Sequence, residues 1–164
     1  MAGMAGKRLE LGSTGEAVAE NVRRLLGVSD LNHTSLSAEL AAIGRDIPPL
    51  AIGRIVKKER RVDVDDLVAL AAALGVSPST LLMPAASTPT EKVTAGGTGW
   101  AAGVLWEWLI AEWPYPGGDL AYLAEFFVRA LPPWKQATIE ARIAHRHGVA
   151  SIVRPGAAAP EPTP

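Results

Sequence analysis

The chain contains no cysteine, which removes disulfides, thiolate nucleophiles and thiolate metal ligands together. Its first 99 residues contain no tryptophan, tyrosine or phenylalanine; every aromatic side chain lies between Trp100 and Trp134. No apolar run reaches bilayer length, because the longest, Trp100 to Ile110, is broken by Glu107. The amino-terminal residues show no charged-then-apolar export pattern. These absences lead us to expect a soluble, cytoplasmic protein without membrane contact. Net positive charge is also missing, since the formal charge is −1. A phosphate backbone, however, meets a local patch and not a total.

Such a patch is present. Between Arg45 and Arg61 stand six cations (Arg45, Arg54, Lys57, Lys58, Arg60 and Arg61) against Asp46 and Glu59, a net +4 over seventeen residues. The composition break divides the chain into four segments. Residues 13–84 form an aliphatic helical domain, 85–98 a Pro/Ser/Thr/Gly linker without period, 99–148 a Trp-rich helical unit, and 149–164 an Ala/Pro tail expected to be disordered. The expected fold class is all-α.

Five helices are legible in the first domain. Ser13 and Glu16 have capping-box spacing, and Val18, Val22, Leu25 and Leu26 give an apolar face that Gly27 closes. Leu36, Leu40 and Ile43 form the next face, stopped by Gly44. Pro48 and Pro49 fit only the opening of a third helix, where unpaired N–H groups are not missed. It runs to about Lys58 with Ile52, Ile55 and Val56 inward. Asp63 is an N-cap for a fourth helix carrying Leu67, Leu70 and Leu74 and closing at Gly75. Ser77-Pro78 opens a short fifth helix to Leu82.

Two helices around a tight turn, with cations behind the second, describe a helix-turn-helix. Residues 15–83 resemble the XRE family, the Cro and phage-repressor type of DNA-binding domain, in the form carried by actinobacteria and their phages. The resemblance lies in Leu36…Leu40-Ala41, Gly44-Arg45 and Ala51-Ile52-Gly53-Arg54-Ile55. Above all it lies in the run from Arg60-Arg61-Val62-Asp63 through Leu74-Gly75-Val76-Ser77-Pro78. It implies a five-helix domain that binds double-stranded DNA as a homodimer. It also implies a transcriptional repressor, of phage or prophage immunity type, acting by promoter occlusion. The physics is simple: a helix about 10–12 Å across fits a major groove about 12 Å wide.

Under this resemblance, amides at Thr34 and Ser35 meet a phosphate. Pro49, Leu50, Gly53 and Arg54 face the bases, and Arg45, Lys57, Lys58, Arg60 and Arg61 reach the flanking backbone. The chain departs from the family where Pro48, Pro49 and Leu50 replace the usual Ser or Gln, and where Gly53 replaces Ser. Lys58 stands where Gly is frequent, which is expected to add charge and lengthen the helix.

The aromatic half is read separately. Trp100, Trp106, Trp108, Leu109 and Trp113 wrap a helix expected over Gly99–Trp113; Phe126 and Phe127 lie on the next, Leu120–Leu131, and a last helix runs Trp134–His147. This surface fits a three-helix core, a homodimer interface, or a groove for another protein, and the sequence leaves the three open. An antitoxin-like or other protein-interaction module is accordingly the second reading of function. His145, His147 and Glu140 do not share one helical face, so no metal site is expected. Gly96-Gly97-Thr98-Gly99 lacks the lysine and preceding strand of a phosphate loop, and no nucleophile context is present. We expect no enzyme and no cofactor.

Overall fold

The computed structural model describes residues 10–115, 119–136, 138, 139, 141 and 143. The chain divides into two compact units, residues 1–106 and 107–164. In the first, α1 (Ser13–Val28), α2 (His33–Ala42), α3 (Pro49–Val56), α4 (Val64–Ala73) and α5 (Pro78–Leu82) are followed by strands β1 (Lys92–Ala95) and β2 (Thr98–Ala101) and by the start of α6 (Ala102–Leu109). The second holds α7 (Leu120–Ala130) and α8 (Pro133–Gln136). The molecule is therefore mostly helical with a small sheet, and not all-α.

The first unit's core is aliphatic, as its composition requires. Val18, Ala19 and Val22 of α1 meet Leu36 and Leu40 of α2, Ile52 and Ile55 of α3, Ala69, Leu70 and Ala71 of α4, and Leu81 of α5. Ile47, between α2 and α3, is also buried there. Each fully buried branched side chain contributes roughly 1.5–3 kcal/mol. Ile43, expected on the inner face of α2, is exposed instead, because it is the C-cap residue and has left the helical conformation.

Helix ends carry much of the local logic. Asp63 and Ser77 cap α4 and α5 through their side chains, accepting from the amides of Asp66 and Thr80. Ser13 does not cap α1; Gly12 is the N-cap, and the Ser13 and Thr14 hydroxyls accept from the amides of Gly97 and Gly96. At their other ends α2, α3 and α4 close identically. In α2 the Gly44 amide donates to Ala41 and that of Arg45 to Leu40; in α4 the Gly75 amide donates to Ala72 and that of Val76 to Ala71. This double bond pattern needs a left-handed residue, supplied by Gly44 (φ 84°) and Gly75 (φ 67°).

In α3 the same position is Lys58, at φ 62°, with its amide on Ile55 and that of Glu59 on Arg54. Lys58 thus ends the helix and does not lengthen it. A Cβ in the left-handed region is unfavourable, and the exposed Lys58–Glu16 pair, 3.7 Å apart, offsets little. Lys58→Gly is expected to raise stability by about 1 kcal/mol, seen as a higher Tm in thermal unfolding. A variant no more stable than the parent would show that the conformation carries no strain.

The expected linker contains a hairpin. Lys92 pairs with Ala101, Val93 with Trp100, Thr94 with Gly99 and Ala95 with Thr98. That register leaves Gly96 (φ 59°) and Gly97 (φ 77°) as a two-residue loop in which both residues require positive φ. Val93 and Trp100 sit on one buried face, and the Trp100 indole N–H donates to the Ala95 carbonyl at 3.1 Å. The helix expected from Gly99 therefore starts only at Ala102, where the Ala102 and Gly103 amides donate to Glu91 and Pro89. The boundary accordingly falls after residue 106, with the hairpin belonging to the first unit.

In the second unit Asp119 caps α7 by accepting from the Tyr122 amide. Leu123, Phe127 and Ile143 are buried together, with Trp113, Phe126, Leu131 and Ile139 packed around them. The helix expected to reach His147 is described from Pro133 to Gln136. The group at Glu140, His145 and His147 and the tail 149–164 lie outside the described residues, as do residues 1–9.

Candidate nucleic-acid interface

Between Ala42 and Pro49 the chain reverses over six residues. Three tethers fix the reversal: the left-handed Gly44, the buried Ile47, and the Ser37 hydroxyl, which donates to the Ile47 carbonyl at 2.7 Å. Pro48, extended at ψ 151°, is the N-cap of α3 and Pro49 its first residue. The buried pair Ile52 and Ile55 sets the inner face of α3. Its outer face consequently presents Pro49, Leu50, Arg54 and Lys57, all exposed. Leu50 is 69% exposed.

The cations expected at DNA fall into two groups. Asp66, only 1% exposed, accepts from Arg45 Nε at 2.7 Å and from Arg60 Nη2 at 2.8 Å. Arg45 also reaches Asp63 at 3.2 Å. The hydrogen bond from Arg45 to Asp66 holds the guanidinium above its ordinary pKa, with the nearby Asp63 and Asp65 charges adding to it. These two arginines staple the α2–α3 turn and the segment after α3 to the first turn of α4. Both were expected at phosphate, and in the structure both are bound to Asp66.

The second group faces outward. Arg54 and Lys57 have no carboxylate within ion-pair distance among the described residues. Among the described residues, Arg61 donates to the Glu10 carbonyl, at 3.0 Å, and forms no ion pair. Lys58 lies beside Glu16, with both side chains largely exposed. Local positive charge is thus concentrated on Arg54, Lys57 and Arg61, fewer cations than the sequence run suggested.

The start of α2 also differs from expectation. Asn32 Oδ1 accepts from the amides of Thr34 (2.8 Å) and Ser35 (3.0 Å), and Ser35 Oγ accepts from the Asn32 amide at 2.8 Å. This capping box occupies the two amides that were expected to meet a phosphate. The Asn32…Ser35 spacing was visible in the sequence, though Ser at the fourth position is a less familiar partner than Glu. His33 is the first residue of α2. Its ring lies 3.6 Å from the point where a Cβ on Gly53 would sit. Gly53 is therefore the place where α2 approaches α3.

The aromatic residues expected to act as one surface are divided. Trp100 and Phe127 are buried, at 8% and 3%, each in its own unit. Phe126 packs on Phe127 with ring centroids 5.7 Å apart. Trp113 is half-buried over the Leu123 cluster and Leu109 is half-buried. Trp106 in the first unit, and Trp108 and Trp134 in the second, remain exposed, Trp134 at 79%.

Among the described residues no group of His, Asp or Glu could hold a metal ion, and no helix is long and apolar enough to cross a membrane. Comparison with family models, with curated proteins and with solved structures gives no match. The functional reading rests on the residues themselves.

Proposed function

We propose that residues 13–84 are a helix-turn-helix domain of the XRE type, and that the protein is a sequence-specific transcriptional repressor acting by promoter occlusion. The observation that carries this reading is the outer face of α3. It is a short helix held rigidly by its buried isoleucines, with Leu50, Arg54 and Lys57 exposed and both cations free of carboxylates among the described residues. A surface helix with no partner would ordinarily intersperse acids among such cations. Here α3 itself carries no acid, and Arg45 and Arg60 hold Asp63 and Asp66 of the α4 start.

A gel shift with the full chain and promoter-region duplex at two salt concentrations tests the reading. Each neutralised phosphate adds about 0.9 to the slope of log K against log salt, so Lys57 and Arg61 on the backbone give a slope near −1.8 per protomer. Arg54→Ala and Lys57→Ala should each weaken binding about tenfold or more while circular dichroism stays unchanged. Binding indifferent to both changes would overturn the proposal.

Trp134 and Trp108 support a companion reading for the second unit. Aromatic side chains this exposed are costly in water, and we assign them to self-association, which would place two α3 helices on one duplex. An antitoxin-like partner is the alternative occupant of the same surface.

A further inference from the structure

We infer that α3 reads its DNA half-site through a thymine methyl group at Leu50 and a guanine at Arg54, about two base pairs apart. The inference rests on the DNA-binding reading and names what that face selects. Its basis is the near absence of hydrogen-bond donors where α3 begins. Pro48 and Pro49 have no N–H, and the amides of Ala51 and Ile52 both donate to the Pro48 carbonyl, at 2.8 and 3.1 Å. Gly53 contributes no side chain to the outer face. That leaves Leu50, 69% exposed, and the Pro49 ring as the side chains presented by the first turn, both apolar.

The floor of the major groove is polar at every base pair except for one group, the C5-methyl of thymine. Amides and carbonyls of the bases would lose hydration against Leu50 and receive nothing in return. Only the methyl group is matched to it. Natural apolar reading of this kind is selective because the alternative bases leave polar edges dry against the side chain.

Arg54 lies one turn further on, displaced about 6 Å along the helix axis, which corresponds to roughly two steps of a duplex rising 3.4 Å per base pair. Its planar guanidinium is exposed and not engaged by any carboxylate among the described residues. Guanine, with O6 and N7 side by side, is the base such a fork recognises. Lys57, a further turn on, is a point charge without that geometry, and it falls to the phosphates.

The test begins by selecting bound duplexes from a random pool with the full chain. The preferred site is then remade with deoxyuridine in place of thymidine, which removes the methyl and leaves pairing intact. The wild-type protein should lose about fourfold in affinity for the methyl at Leu50, the value of one buried methyl. Leu50→Ala should bind the two duplexes equally, and because Leu50 is exposed this change leaves the core intact. A wild type that does not distinguish the duplexes, or a Leu50→Ala variant that still does, overturns the inference while DNA binding stands. Selection of no duplex at any salt concentration overturns both.

Discussion

Replacing Asp66 by alanine is expected to lower stability by about 3 kcal/mol, measured as a shift of the urea unfolding midpoint at pH 7. Three features converge on this carboxylate. It is 1% exposed, it accepts from two guanidinium groups at 2.7 and 2.8 Å, and its own amide is tied to Asp63 at 2.7 Å. The two arginines come from the turn after α2 and from the segment after α3, so one side chain closes three parts of the domain. Removing one member of a buried ionic cluster ordinarily costs about 3–5 kcal/mol. The lower end applies here because Arg45 and Arg60 are 36% and 35% exposed and can turn towards water. One terminal nitrogen of Arg60 is already buried without a partner among the described residues, which limits further rearrangement on that side. In the protein that remains folded, two cations are released, so on the proposed DNA-binding reading the salt dependence of binding should steepen. A loss below about 1 kcal/mol would show that the cluster merely sits inside the fold without holding it.

Asp66 also shows where sequence reasoning stops. As one of two acids following Asp63, it was legible as a residue favourable to the start of α4, and α4 does start there. Its burial and its two distant arginines, 21 and 6 positions away, follow from the packing of α2, α3 and α4 and have no local signature. The same division holds elsewhere. Pro49 at the first position of α3 and the caps Asp63, Ser77 and Asp119 were legible because the reasons are local. The hairpin has a local signature too. Gly96-Gly97 between Val93-Thr94-Ala95 and Thr98-Gly99-Trp100 is a turn dipeptide between strand-compatible residues. The tryptophans from Trp100 onward favour a helix over part of the same stretch, and the two signals compete. Of the site, the exposure of Leu50, Arg54 and Lys57 followed from helical period. The commitment of Arg45 and Arg60 to Asp66 and of the Thr34 and Ser35 amides to Asn32 did not.

Asn21 yields the second large effect. It is 4% exposed on α1, and its amide nitrogen donates to the carbonyls of Leu81 at 3.0 Å and Met83 at 2.7 Å. It thereby satisfies the end of α5, 60 residues away, while its oxygen accepts weakly from Arg24 at 3.3 Å. Asn21→Asp keeps the volume and removes only the donors. A carboxylate there would face two carbonyl oxygens across about 3 Å, with Arg24 favouring the charge from one side only. The expected cost is about 3 kcal/mol at pH 7. Burial and the carbonyls favour the protonated acid, so the new group's folded pKa lies above its unfolded value of about 4. The folded state then holds a proton that the unfolded state has released, and the penalty grows as pH rises from about 4 through the folded pKa. Relative to wild type at each pH, the variant should be less impaired at pH 4.5 than at pH 7. It cannot recover fully in acid, since one carboxyl proton serves only one of the two carbonyls. Equal destabilisation at both pH values would mean that the side chain acts through shape alone, and that the tie from α1 to α5 is not made by these hydrogen bonds.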